Sequence, residues 1–538
     1  MSLTSSRAQF VTNADTSATL NLGSSWIGGV PAGSANVAVW DNNVQVNTTK
    51  TLGAALSWAG IRVADPAASI TILQDGNTLT LGTSGIDLSQ ATNGLTLGCA
   101  VALNGNQTWM VTNGITLTVT GIVSGASALT LNNGGNNTGL IILTNADTYA
   151  GGTTINSGFI QPNSINAFGT GNITNSGGVL ELIGFPHAGI MTNHFVATGT
   201  SLIDMANVNA SFVFDGPWSG TGTYLVTNDT ASGSTLTFGG ASGGNMANFT
   251  GSIIVVDNSS GFTNAGALRF NNGGSQANTG NSLMTINLGG TAPGSPGSTI
   301  ILENRDPGTT SVGELSGGFG TAVTGQTSGS GTEIWSIGGK GTSSTFGGTF
   351  KNQSSSALTA LTKVGAGTLT LTGTNTATST TTISAGTLQI GDGGADGTLC
   401  AGPVVNNSVL IFNRSDSYTV ANNISGGGSI IIQAGGINNY TGTNSSSGTL
   451  TISQGTLALA ASGLLSCPIS VSSGGIFDIT QNPTFVLNQT LSGSGTVNGL
   501  LVVSSGAISP GGAGAAGTLT LQGGLTENGG INNQMELS

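Results

Sequence analysis

His187 and His194 are the two histidines in the 538 residues, and with Glu181 and Asp204 nearby they are the nearest thing in this chain to a metal-ligand set. Imidazoles and carboxylates hold zinc only when their spacing lets them converge. Seven residues apart on a strand, two side chains point to opposite faces unless a turn intervenes, and this spacing matches no compact zinc motif. A second candidate is Asp392-Gly393-Gly394-Ala395-Asp396-Gly397, a Gly-Asp turn of the sort whose carboxylate and carbonyl oxygens ligate calcium. Such turns complete a coordination shell when consecutive repeats stack, and the sequence holds one copy, so a plain turn is expected. The 21 acidic residues are otherwise dispersed, Asp65-Pro66 and Asp306-Pro307 read as turns, and no serine has a base in register with it. The sequence therefore assigns no catalytic, cofactor-binding or metal-ligating residue and implies no cofactor.

Composition narrows the partners. Nine Lys plus Arg against the 21 acids give a formal charge of -12, and the nine cations form no cluster, which excludes nucleic acid and anionic membrane surfaces as expected partners. The outward faces must instead consist of Thr, Asn and Ser. Cys99, Cys400 and Cys467 are far apart and odd in number, so they read as small apolar residues in or beside strands rather than as a disulfide framework. Trp109, Trp218 and Trp335 could stack on sugars, yet burial is the commoner role for tryptophan in a stacked β fold. Met1 to Leu20 lacks the basic start and apolar run of a signal peptide, and no stretch of 18 apolar residues occurs.

The elements that would position any site are announced by a repeat. Gly-Thr-Leu-x-(Leu/Ile) occurs at Gly367 to Leu371, Gly386 to Ile390, Gly448 to Ile452, Gly455 to Leu459 and Gly517 to Leu521. In each, glycine suits a turn and Leu-x-Leu places two apolar side chains on one face of a short strand. Glycine reaches 91 residues without a period of three, which excludes collagen, and recurring aliphatics exclude disorder. Helical periodicity is absent, so the reading is an all-β fold in which turn-strand units stack as a solenoid, roughly 27 coils at an assumed ~20 residues each. Leu369, Leu371, Leu388, Ile390, Leu450, Ile452, Leu457, Leu459, Leu519 and Leu521 are expected to point inward.

Along the chain, 1–20 is a polar segment, with order expected from about Leu20. A cap-like segment follows at 21–68, where Trp26 and Trp40 would cover the first rung. Solenoid coils are expected over 69–183, irregular coils with insertions over 184–360, and regular coils over 361–538, the chain ending in mid-solenoid.

The stretch from Leu361-Thr362-Lys363-Val364-Gly365 through Gly386-Thr387-Leu388-Gln389-Ile390 closely resembles the autotransporter-associated β-strand repeat, or passenger-associated transport repeat. Asp147 to Gly158 resembles a second copy, inside 69–183, and Asn439 to Ile452 a degraded third. Ala377 departs from the repeat's usual tyrosine, and Ser379-Thr380 from its paired glycines. The resemblance implies a single right-handed parallel β-helix, pectin-lyase-like, with an N-terminal capping segment. It further implies a non-enzymatic, exported or cell-surface bacterial passenger, stalk or adhesin, that makes weak multivalent contacts with cells or surface glycans and meets a membrane only through a translocator or anchor beyond this sequence. The alternatives are a carbohydrate-active β-helix enzyme, a polysaccharide lyase or hydrolase with its site in 184–360, and a fibre subunit that self-associates through its solenoid ends.

Overall fold

The computed structural model describes residues 8–133, 139–182, 189–205, 212–227, 235–239, 245–256, 266–271, 280–290, 300–325, 330–512 and 517–528. It is an all-β parallel solenoid of about 20 turns, and its one helical element among the described residues is the single 3-10 turn Gly23–Ser25. The chain divides into two compact units, Met1–Ala267 with Asn271–Asn278, and Leu268–Phe270 with Thr279–Ser538.

In the first unit, strands follow from alternation. Ile70–Leu73, Leu95–Leu97, Thr116–Val119 and Leu140–Leu143 each expose one set of side chains and bury the other. Their parallel register stacks like on like: Ile70 against Leu95, Leu95 against Leu117, Leu117 against Ile141, then Ile160, Leu180, Ile203 and Val226. Each inward aliphatic removed from water contributes roughly 1.5–3 kcal/mol. Successive partners in this ladder are 19 to 25 residues apart, so coils here are longer than the ~20 assumed from sequence, and the turns are correspondingly fewer than 27.

Order begins well before Leu20. Gln9–Thr12 is a strand paired in parallel with Asn36–Trp40, which itself pairs with Leu56–Val63. Two polar side chains fix this start: buried Asn13 donates to the Ser25 carbonyl at 2.9 Å, and Asp15 accepts from the Asn47, Val46 and Gln45 amides at 2.6, 3.0 and 3.1 Å. Those amide donors, Asn47 foremost, hold the Asp15 carboxyl below its ordinary range. A polar composition had concealed a strand whose hydrogen bonds go to backbone and carboxylate. Above it Trp26, Trp40 and Trp58 meet edge-on or tilted with centroids 5.8 to 6.0 Å apart, all buried, so three indoles rather than two fill this end.

In the second unit the Gly-Thr-Leu-x-Leu strings divide between two sheets. Leu369, Leu388, Leu410, Ile430, Leu450, Ile469, Leu491 and Ile508 stack in one ladder. Gly455–Leu459 and Thr520–Leu521 lie in another, with Ile437–Tyr440, Gly475–Asp478 and Thr496–Asn498. Eight of the ten inward positions expected from sequence are at most 1% exposed. Leu519 and Leu521 are not: both are half-buried, because no further described strand packs over the face that carries them.

Inward asparagines satisfy the turns between sheets. Asn193, Asn422 and Asn482 each donate their amide to two carbonyl oxygens of the preceding coil, Gly169 and Gly171, Cys400 and Gly402, and Ala460 and Gly463, at 2.7 to 3.1 Å. A buried carbonyl without a donor costs about 1–3 kcal/mol, so these side chains make tight corners tolerable.

Candidate functional site

A groove with ligand-sized room lies in the second unit, where glycine removes side chains from one corner on successive coils. Gly317-Gly318, Gly347-Gly348 and Gly373 meet there, with the Gly347 amide 2.7 Å from the Gly317 carbonyl. A Cβ at Gly373 would lie 1.9 Å from the Gly348 oxygen, and one at Gly348 would lie 2.3 Å from the Thr321 hydroxyl. Only glycine fits, and the row leaves an open groove of about 580 Å³. Its walls carry Phe319, which is 51% exposed, hydroxyls including Thr345, Thr349, Thr372 and Thr374, the Lys351 side chain, and both carboxylates of the 392–397 turn.

That turn is organised by a cation from the protein itself. Arg414, 6% exposed, donates through Nη1 to the Gly397 carbonyl and through Nη2 to that of Ala395, pairs with Asp416 at 2.8 Å, and stacks over Tyr418 at 4.7 Å. The guanidinium therefore takes carbonyl oxygens that a calcium ion would need, and leaves Asp392 and Asp396 exposed toward the groove. Gly391, Gly393 and Gly397 have φ of 80°, 101° and 95°, a backbone that keeps the turn to glycine.

The other residues singled out from sequence are dispersed. His187 lies outside the described residues. His194 has its Nε2 2.8 Å from the Ser219 hydroxyl and precedes the strand Phe195–Ala197, whereas Glu181 and Asp204 sit opposite each other on a different sheet. Burial first, and then the Asp204 charge, raise the Glu181 pKa. No group of three or more His, Cys, Asp or Glu converges among the described residues. Among the described acids of the irregular region, Glu303 pairs with Arg269 at 2.6 Å, Glu333 accepts from the Asn304 amide at 3.3 Å, and Glu314 accepts from the Thr342 hydroxyl at 2.5 Å and lies 3.9 Å from the Lys340 ammonium. Glu333 is fully buried, and burial pushes its pKa to about 7. All three cysteines are buried free thiols, with Cys99 pushed up to about 12 and Cys400 and Cys467 to about 11 by burial, so none is a nucleophile at neutral pH. All six tryptophans are buried to 2% or less, so none offers a stacking face.

Sequence reasoning missed Lys363, Arg414 and Phe319. Lys363 occupies an inward position between Ile337 and Ile383, 1% exposed, and its ammonium donates to the carbonyls of Val364, Gly365 and Ala385 at 2.7, 2.9 and 3.2 Å. Three donors meet three acceptors, tying a turn to the corresponding turn of the next coil, while burial lowers the lysine pKa to about 8. The Gly-Gly-Phe-Gly of Phe319 carries no periodic signal, and its exposure depends on glycines in neighbouring coils.

Residues 361–390 match the Passenger-associated-transport-repeat family. The geometry explains the length of that repeat. Leu361 to Lys363 pair with Thr381 to Ile383, and Thr368 to Leu371 pair with Thr387 to Ile390, so one copy contains two strands and the two they stack upon. Where the sequence has Ala377 and Ser379-Thr380, the chain turns without any positive φ, whereas Gly152 at the corresponding place in the 147–158 segment has φ of 85°. The chain is also similar to the adhesin BmaC autotransporter of Brucella suis biovar 1 (strain 1330), 37% identical over 93 residues. That stretch is 17% of this chain and 3% of the relative, so the chain matches a small part of that protein's length. No solved structure matches.

Proposed function

We propose that this chain is the displayed body of an autotransporter-type passenger, a non-enzymatic β-solenoid at or released from a bacterial cell surface that acts as stalk or adhesin. The observation that carries the proposal is the repeat match at 361–390, seated in parallel coils of the kind such repeats would build. Similarity to part of an adhesin autotransporter supports the adhesive half of the reading. Right-handed winding, as in pectin-lyase-like solenoids, is favoured because parallel strand crossovers are overwhelmingly right-handed. The acids of the irregular region that take part in salt bridges or turns support contact rather than turnover. A stack of similar coils presents similar polar faces many times, which suits weak bonds strengthened by number, and linking weak sites raises avidity about 10²–10⁴-fold.

The test is adherence. Beads coated with many copies should bind host or environmental cells at surface densities where an equal mass of dissolved single copies shows no detectable binding. Equal and saturable binding of single copies with nanomolar affinity would overturn the weak, multivalent mode, and no adherence of coated beads to any cell or glycan surface would remove the adhesive role.

A further inference from the structure

We propose that the groove walled by Phe319 and the 392–397 turn is a binding site for a neutral oligosaccharide. This deepens the adhesive reading above by giving it a ligand class and an address on the chain. Three features of the groove point to that chemistry. Phe319 is an aromatic ring standing half out of the protein in a chain whose tryptophans are all buried. The apolar C–H face of a pyranose is a natural partner of an exposed aromatic face. The same walls carry residues with acceptors and donors of the two sorts sugar hydroxyls need: Asp392 and Asp396, and Thr345 and Thr374, with Lys351 as a further donor. Arg414 is what aims the carboxylates, since it holds the turn from beneath through the Ala395 and Gly397 carbonyls.

Charge then selects among sugars. Two carboxylates and one ammonium leave the walls net negative, on a chain of formal charge -12, so uronates, sulfated and sialylated chains are repelled where uncharged hexoses are not. The glycine floor lets a ring approach the backbone of three coils at once. A groove of about 350 Å³ in the first unit, lined by Thr92, Asn93, Thr96, Thr116 and Thr118, offers hydroxyls without an aromatic wall, and it is the internal comparison for what Phe319 adds.

The experiment uses the whole chain, titrated by calorimetry with hexamers of glucose in α- and β-linkage, of mannose and of N-acetylglucosamine, and with oligogalacturonate as the charged comparison. Neutral hexamers of at least one kind should bind with a dissociation constant in the micromolar to millimolar range and oligogalacturonate more weakly. Phe319→Ala should weaken the neutral ligand at least about tenfold and Asp392→Asn about threefold, with Phe319→Tyr retaining affinity and all three variants melting with the parent. Phe319 is exposed, so its loss should leave folding intact. Failure of every neutral hexamer at millimolar concentration, tighter binding of oligogalacturonate, or binding indifferent to Phe319→Ala would each overturn the assignment. Coated beads of Phe319→Ala separate the two claims: if they adhere as the parent does while no hexamer binds, the groove is wrong and the adhesive role stands, and if hexamers bind but parent beads do not adhere, the reverse holds.

Discussion

Leu388→Asp is expected to lower the melting temperature of this protein by about 10 °C or more, while Thr370→Asp, on the strand directly beneath it, leaves melting within about a degree or two. Leu388 is fully buried between Leu369 and Leu410 in register, and an aspartate there faces aliphatic side chains from both neighbouring coils with no donor in reach. Burying an unpaired carboxylate in such surroundings costs several kcal/mol, on the order of 3–5, whether the group stays charged or takes up a proton. Thr370 alternates outward on its strand, half-buried between the buried Leu369 and Leu371, so a carboxylate there reaches water. Equal shifts for the two variants, followed by circular dichroism, would show that the inward face has been assigned to the wrong side of the ladder.

Asp147→Asn is expected to stabilise the protein at neutral and alkaline pH and to change little at pH 4. Asp147 is 4% exposed and accepts one hydrogen bond, at 2.8 Å from the Val123 amide, and burial pushes its carboxyl up to about 7. A folded-state pKa above the ordinary value of 3.8 means that the folded chain holds the proton more tightly than the unfolded one. The contribution is therefore whole below about pH 4, falls as the pH rises, and is gone above about pH 7, a loss of up to about 4 kcal/mol for a shift of this size. Asn375, at the corresponding position of the 361–390 repeat, shows what asparagine does there: its Oδ1 accepts from the Phe350 amide at 2.8 Å, and its amide donates to the Thr398 and Gly373 carbonyls at 2.7 and 3.3 Å. The variant should gain those donors without a proton to lose. Melting curves of parent and variant between pH 4 and 8 should diverge as pH rises. A residual slope should persist in the variant because Glu333, buried and also raised to about 7, titrates in the same direction. Parallel curves would place the Asp147 carboxyl in water.

The inward ladder was legible because Leu-x-Leu after glycine has a single physical reading when it recurs. Alternation decides the face, repetition supplies the partner, and the structure buries Leu369 through Leu459 as that argument requires. What was lost from view depends on neighbours a coil away. Leu519 and Leu521 carry the same string as Leu388 and Ile390, but burial needs a covering strand as well as an apolar side chain, and the string is silent about the cover. The polar start at Gln9–Thr12 was hidden because its stability comes from backbone pairing and from Asn13 and Asp15, residues that read as loop. Arg414 lies seventeen residues beyond the Gly397 it supports, and in sequence it is one of nine scattered cations; only stacking brings it under the turn. Lys363 reads as an exposed charge by its type, yet its place in the alternation, two residues after Leu361, already puts it inside. Phe319 could have been suspected from an aromatic set among glycines, but which glycines stack beside it is a three-dimensional fact.

Contact without turnover is the centre of this account, and it is tested most directly by incubating the whole chain with pectin, alginate, cellulose, mannan and chitin, with and without calcium. Reducing ends and unsaturated uronate absorbance would be followed over a day. The account predicts no release above a buffer control in any arm. Sustained release of oligosaccharide that is abolished by substituting one carboxylate of the irregular region, Glu303→Gln, Glu314→Gln or Glu333→Gln, with melting unchanged, would contradict it and make the protein a carbohydrate-active enzyme.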